Sequence, residues 1–444
     1  MKAYRWYSLV LIVVLLLSLS ACTVPAAAPA GGETGAPSAE GEVVEILFWD
    51  QFPEVSDKMD EIVADFNAAH PNIKVTRESY QTEALRDVIR PALTSGTGPD
   101  IFYYDLGPGF AGVLARAGLL MPLDDAYADK GWDQRIYEWT RDRAVFDGKS
   151  YGVANELEFI GIFYNKGMFE ANGWELPQSW DELLGLCDKA NEAGVIPMGF
   201  TNGESWPSYH MFSMMMNNQV GKDRLAAMIS GEESWDTEDT VIAIKRFFVD
   251  AKERGCFIED VNAVNYSDGL ALLATGQAAM HPTGTWRVEA YSDPTQTTED
   301  IGFFFLPALD GNPVVVPGGI GSGWVVSANS QHPEETLTFL DYLISEEMGP
   351  RWVAEIGAVP AYPVDTSALD LPELKEFALD IIASQADSMG YNIDVLTPDN
   401  FNKVMWDGFA AVLAGIRTPE EQAAALEAAM QEAIAAGNVI DITE

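Results

Sequence analysis

Tryptophans, carboxylates and paired glycines at the ends of strand-like runs are the residues of this chain best suited to holding a small molecule. Trp49 and Asp50 close a first run, and Asp105 closes a third. Gln81 precedes a helical stretch, Trp206 lies in a Gly- and Pro-bearing loop (TNGESWPSY), and Trp286 ends HPTGTW. Gly318 and Gly319 would let backbone amides come close to a ligand. Flat indole faces beside carboxylates and amides suit a ring that is apolar on its faces and hydroxylated at its rim. Open α/β sheets bind ligands beyond the carboxyl ends of their strands, which favours Asp50 and Asp105. Trp49 is equally well placed to pack inside. Trp324, Trp352 and Met214 to Met216 read as packing residues.

Other chemistries find little support. The chain has no G-x-S-x-G, H-E-x-x-H or G-x-x-x-x-G-K-[ST]. His70, His210, His281 and His332 are scattered without ligand spacing, so no metal is expected. Gly107 to Gly112 (GPGFAG) matches G-x-G-x-x-G after a strand, but Pro108 removes a backbone N–H where a phosphate would sit, so no cofactor is expected. The chain has 68 Asp and Glu in all. A pair spaced for glycoside hydrolysis therefore stays open as a rival reading.

The elements that must position these residues follow from periodicity. Glu45–Trp49 reads as a buried strand. Met59, Ile62, Val63 and Phe66 mark a helix that Ser56 could cap, and Ile73–Thr76 a second strand. Leu85, Val88, Ile89 and Leu93 mark a second helix, and Ile101–Tyr104 a third strand. This alternation predicts a parallel α/β sheet. A second block begins near Tyr151, with strands at Ile160–Tyr164 and Val195–Phe200 and a helix over Val241–Ala251. Ser179-Trp180-Asp181-Glu182 fits a capping box. His332-Pro333-Glu334-Glu335 and Thr418-Pro419-Glu420-Glu421 each open a further helix.

The 444 residues carry 26 Lys and Arg, a formal charge of −42, and 48% hydrophobic residues. A large core is affordable in composition, and global disorder is excluded. So acidic a surface argues against nucleic acid and against anionic lipid headgroups. Lys2 and Arg5 precede an apolar run, Ser8–Leu19, that has the length of a signal-peptide core. It ends in Leu19-Ser20-Ala21-Cys22, which resembles a bacterial lipobox: residues 1–21 would be removed and Cys22 lipidated. Residues 22–42 (CTVPAAAPAGGETGAPSAEGE) read as a flexible tether. Cys187 and Cys256 would then remain, either paired or as buried thiols.

Seven segments, in order, resemble the extracellular solute-binding proteins, the receptors of ABC importers, and among them the maltose-binding-protein-like sugar branch. They are EILFWD (45–50), GPDIFYYD (98–105), GLLMPLDD (118–125), GKSYGVANELEFIGIFYNKGMFEANGWELPQSWDEL (148–183), GQAAMHPTGTW (276–286), VVPGGIGSGWVVSANSQHPEETLTFLDYLIS (315–345) and GAVPA (357–361). The resemblance implies an α/β, two-lobed periplasmic-binding-protein-like fold with hinge strands and a helical C-terminal end. Crossings are expected near Gly152–Glu156 and Val314–Gly318. The N-lobe is then 43–153 plus 315–345, and the C-lobe 154–314 plus 346–444. It further implies a solute held in the interlobe cleft and passed unchanged to permease subunits. The receptor would be a monomer outside the cytoplasm, lipid-anchored in a periplasm or at a cell surface. Glu156 and Glu158 flank the hinge, and strand alternation puts both on one face, with Glu156 preferred. Arg77 and Arg287 are the few basic residues near the cleft segments. A neutral mono- or oligosaccharide is therefore expected, with a polyol, an amino sugar or a glycerol-phosphate-type solute as alternatives.

Overall fold

The structure is a computed structural model that describes residues 43–385 and 388–442. The expected signal peptide, Cys22 and the tether lie outside the described residues. From Val43 onward the chain forms one compact unit built on two sheets.

β1 (Val44–Asp50), β2 (Ile73–Ser79) and β3 (Ile101–Asp105) are parallel and are separated by α1 (Ser56–Ala69) and α2 (Thr82–Ser95). The apolar stripe of α1 is buried as its spacing predicts, with Phe66 edge-on to Phe339 at 4.8 Å. Ser56 does not cap the helix. It is the first helical residue, and its hydroxyl accepts from Arg77 Nη1 at 2.9 Å. β4 (Gly152–Ala154) runs through Asn155 directly into β5 (Glu156–Asn165), the long central strand of the second sheet. α3 (Trp180–Glu192) starts at Ser179, whose hydroxyl accepts from the Glu182 N–H. β6 (Ile196–Met198) leads to α4 (Trp206–Val220). The expected helix near Val241 begins at Glu238 and becomes a π-helical turn over Arg246–Ala251.

α5 (Tyr266–Ala274), β7 (Ala278–Gly284) and β8 (Ile301–Phe304) complete the second sheet, whose main path is β8-β5-β7-β6. β9 (Gly318–Ile320) also pairs with β5. One residue later β10 (Ser322–Val326) enters the first sheet, which reads β2-β1-β3-β10-β4. The second crossing therefore falls at Ile320–Ser322, after the expected Val314–Gly318.

α6 (Pro333–Leu343) packs on the first sheet, and the following segment does too. Met348, Trp352, Ile356 and Tyr362 share a buried cluster with Phe48, Trp324 and Phe339. Trp352 lies 5.6 Å from Trp324 and 6.1 Å from Phe52. The expected end of that lobe at residue 345 is thus too early, because an aromatic cluster holds the next turn against the same sheet. β11 (Val359–Pro360) then returns to β5. α7 (Asp399–Leu413) and α8 (Pro419–Ala436) form the helical end. α8 carries a full capping box between Thr418 and Glu421 and stops at Gly437, φ 70°.

Cys187 on α3 and Cys256 form a disulfide, with Cα atoms 5.1 Å apart. Among the described residues no helix is long and apolar enough to cross a membrane.

Candidate functional site

Two sheets joined edge to edge by crossing strands leave a concave seam between their covering loops and helices. A cavity of about 990 Å³, counted out to open solvent, occupies that seam. Asp105 and Tyr103 reach it from the end of β3, Glu156 and Glu158 from β5, and Gly321 and Ser322 from the second crossing. α4 contributes Trp206 and His210, and the segment after β7 contributes Trp286 and Arg287. Asn392 and Asp394 come from the chain before α7.

One wall is aromatic. Trp206 packs on Tyr266 with ring centres 4.2 Å apart and meets Trp286 at 6.2 Å. His210, one helical turn after Trp206, lies 5.1 Å from that indole and 4.9 Å from Trp286. Tyr266 stands behind the wall and fixes it. Its hydroxyl accepts from Trp286 Nε1 and from Arg287 Nε, each at 3.0 Å. With two N–H groups pointing at it, that oxygen must direct its own proton to Thr283 Oγ1, 2.6 Å away.

The rest of the lining is acidic. The Asp105 carboxylate accepts from Arg86 Nε at 3.0 Å, and Arg86 also bonds Glu83 at 2.7 Å. Arg287 pairs with Glu54 at 3.4 Å, and Lys375 pairs with Glu289. Each of these cations is therefore already engaged. Glu156 accepts from the Tyr103 hydroxyl at 3.1 Å, and Glu158 from Asn392 Nδ2 at 3.3 Å. Burial disfavours their charged forms and pushes Glu156 up to about 7, although Tyr103 and Arg287 pull the other way. Glu158 rises well above its ordinary range through burial and the nearby charges of Glu156, Asp394 and Asp105. Burial also lifts Asp394 to about 7. It holds His210 and His281 near 3, helped by the positive charges of Arg86 and Arg287 respectively. A site lined this way can stack a ring and trade hydrogen bonds with neutral hydroxyls. Among the described residues that line it, no free cation faces an anion.

Four of the nine expected contact residues line the cavity: Asp105, Glu156, Trp206 and Trp286. The others are corrected. Trp49 is buried against Tyr80, ring centres 4.8 Å apart. Asp50 is fully buried, and Arg77, the hydroxyl of Ser79 and the N–H of Phe52 saturate its carboxylate. Arg77 is thereby removed from the cleft as well. Gln81 is exposed at the start of α2 and does not reach the cavity, although its neighbour Thr82 does. Gly318 and Gly319 are spent on pairing β9 with β5, and a Cβ at Gly318 would lie 2.6 Å from the Glu158 carbonyl oxygen. Gly321 is the glycine at the site, since a Cβ there would collide with the Glu158 carboxylate.

The G-x-G-x-x-G run serves packing. A Cβ at Gly107 would strike the Val395 carbonyl, and one at Gly109 would lie 2.7 Å from Asn402 Nδ2 and from the Thr397 carbonyl. Arg86, Tyr103, His210, Asn392 and Asp394 were not singled out by sequence. His210 stands four residues after Trp206, a same-face spacing that could have found it. Nothing local marks Asn392 or Asp394.

Residues 49–350 match the family profile described as bacterial extracellular solute-binding protein. An uncharacterised ABC transporter extracellular-binding protein of Pyrococcus horikoshii is 24% identical over 293 residues, 65% of this chain and 66% of that relative. The multiple sugar-binding protein of Streptococcus mutans is 24% identical over 311 residues, 68% and 71% of the two chains. Among solved structures, a chitin oligosaccharide binding protein superposes with a TM-score of 0.78 at 21% identity, covering 88% of this chain and all of that one.

Proposed function

The chain belongs to the bacterial extracellular solute-binding proteins, and from that premise we propose that it is the extracytoplasmic receptor of an ABC importer. It binds a neutral mono- or oligosaccharide in the cleft between its sheets and delivers it, chemically unchanged, to the membrane permease. One observation carries this reading: Trp206 and Trp286 form one wall of a cavity in which, among the described residues, carboxylates outnumber cations and the cations, Arg86 and Arg287, are paired. Indole faces take the apolar side of a pyranose, and carboxyl groups take its hydroxyls. A phosphate or carboxylate on the solute would instead find no unpaired cation among the described lining residues. The sugar-binding relative and the oligosaccharide-binding fold neighbour support the same solute class.

The remaining parts of the proposal extend the family reading. The receptor works as a monomer, tethered through lipidated Cys22 and residues 22–42, and its two sheets close on the sugar. The disulfide between Cys187 and Cys256 supports a compartment outside the reducing cytosol.

The test is a thermal-shift screen over mono- and oligosaccharides, followed by calorimetry on wild type, Trp206→Ala and Glu156→Ala. A bound sugar raises the melting midpoint by mass action. Both variants should lose affinity by about tenfold or more while staying folded. Chromatography of each saccharide after prolonged incubation should return it intact. Unchanged affinity in both variants would refute the site, and release of cleavage products would favour a hydrolase.

A further inference from the structure

The lining of the cavity contains a donor and an acceptor that face each other without bonding. His210 Nε2 and Asp394 Oδ1 are 3.9 Å apart, too far for a hydrogen bond. Asp394 Oδ1 has no hydrogen-bond partner, and neither does His210 Nδ1. Both residues are more than nine-tenths buried, and both line the cavity. An unpaired buried polar group is costly, and a pair of them side by side in a cleft points to a missing third group.

The chemistry of that third group can be read from its neighbours. Burial and the positive charge of Arg86 keep the imidazole neutral, so it has one N–H and one bare nitrogen. A bare nitrogen left without a partner costs less than an orphaned N–H, which places the proton on Nε2, the atom facing Asp394. The missing group must therefore accept from one side and donate to the other. A hydroxyl does both, and an oxygen about 2.8 Å from each atom would span the 3.9 Å between them once the side chains part to admit it. Arg86 cannot fill this role, because its guanidinium is held by Asp105, Glu83 and the Tyr209 hydroxyl. The indoles of Trp206 and Trp286 that touch His210 hold the ring in place but make no hydrogen bond to Asp394.

We propose that His210 and Asp394 together read one hydroxyl of the bound sugar, the imidazole donating to its oxygen and the carboxyl group accepting its hydrogen, so that this pair decides which ring configuration the cleft retains. The inference rests on the sugar-receptor reading above. Stacking on Trp206 and Trp286 would tolerate many rings, whereas the dyad demands a hydroxyl at one position and one orientation.

The experiment is a double-mutant cycle by calorimetry on the full chain, with xylobiose, N,N′-diacetylchitobiose, maltotriose and raffinose as probes. His210→Phe keeps an aromatic ring against the two indoles, and Asp394→Asn keeps the shape of the carboxyl group. His210→Gln serves as a second variant should the phenylalanine disturb the helix, and melting midpoints establish that each variant is folded. At least one probe should bind wild type. Each single change should then weaken that probe by about tenfold or more, and the double variant should be little worse than the poorer single one, because both changes sever the same bridge. Nitrogen-15 spectra should show the His210 Nε2 proton becoming protected when that probe saturates the protein.

If a probe binds and the two effects simply multiply, or if neither change alters affinity, the dyad is overturned and the sugar-receptor reading stands. If no probe binds wild type, the sugar reading falls and takes the inference with it.

Discussion

Arg86, on α2 beside the first sheet, donates from Nη1 to the hydroxyl of Tyr209, on α4 of the second, at 3.1 Å. The same guanidinium holds Asp105 and stacks over Phe110 at 4.7 Å, so one side chain ties both sheets to the rim of the cavity. Tyr209→Phe removes this bond and keeps the ring that faces Trp406 at 6.1 Å. A hydrogen bond to a charged group is worth about 1.5–3 kcal/mol. We expect the melting midpoint to fall, and sugar affinity to drop in calorimetry because the two sheets lose one tie at the rim of the cavity. Affinity equal to wild type would show that Arg86 does not link the two halves in the bound form.

Asp50 and Arg77 should matter for stability and not for ligand. Their side chains are 0% and 4% exposed, and both ends of the pair carry further hydrogen bonds. Asp50→Ala would leave a buried guanidinium with only the exposed Asp60, 2.8 Å from Nη1, as its counter-charge, at a cost of up to about 3 kcal/mol. The melting midpoint should fall clearly, and the affinity of the folded fraction should persist. A variant that melts normally but no longer binds would return Asp50 to the site.

This contrast shows what sequence could and could not reveal. Asp50 and Asp105 end neighbouring parallel strands and look equivalent along the chain. They differ because β2 sets Arg77 beside Asp50, whereas α2 sets Arg86 between Asp105 and the second sheet. Lateral pairing of that kind is nonlocal and leaves no periodic trace. The strands and helices that frame the cleft were legible because their apolar spacing is strong, as in Met59, Ile62, Val63 and Phe66. Alternation along β5 also placed Glu156 and Glu158 on one face correctly. Asp394 and Asn392 were invisible, since they reach the cavity from an irregular segment more than 200 residues further along.

Acidity should stabilise the unliganded cleft. Burial raises Glu156 and Asp394 to about 7 and Glu158 well above its ordinary range, so the fold prefers their neutral forms. The folded chain then binds more protons than the unfolded one between the ordinary carboxylate range and about 7. Stability from these groups is full at low pH and is lost as pH rises through about 7. His210 and His281, held near 3, act in the opposite sense below the ordinary imidazole value. Comparison with Glu156→Gln isolates one acid. Between pH 5.5 and 7, wild type should lose stability relative to the variant by on the order of 1 kcal/mol per pH unit. A difference independent of pH would mean Glu156 is ionised throughout.

The disulfide spans 69 residues of sequence and joins α3 to Cys256, five residues beyond the π-helical segment. Chain-entropy arguments put its contribution at about 4 kcal/mol. Both sulfurs are buried, so reduction should need partial unfolding. Cys187→Ala with Cys256→Ala should lower the denaturation midpoint and leave sugar affinity intact. An unchanged midpoint would show that the loop is already ordered in the unfolded chain.

Gly321→Ala offers a selective way to damage the cleft. The new methyl would meet the Glu158 carboxylate at the point where the chain passes between sheets. We expect binding to weaken at least about tenfold while the circular dichroism spectrum is retained, because overpacking of a single site costs about 1–3 kcal/mol. Gly319→Ala, where no atom lies within 4 Å, is the matched control for mutating the same ribbon, its own φ of 130° adding local strain. Equal losses in the two variants would make backbone strain, not Glu158, the cause.

The passage between the sheets is three strands wide. Asn155 donates its backbone N–H to the Ser322 carbonyl and accepts from the Ala361 N–H, so the first crossing is laced on both sides. A single connecting strand could swivel about its own axis. A laced strap resists torsion and yields mainly by flexing across its thin direction, which leaves one dominant arc for any opening. Spin labels on α2 and α5 should therefore trace a single distance coordinate, and the cleft would admit its solute through the same mouth on every cycle.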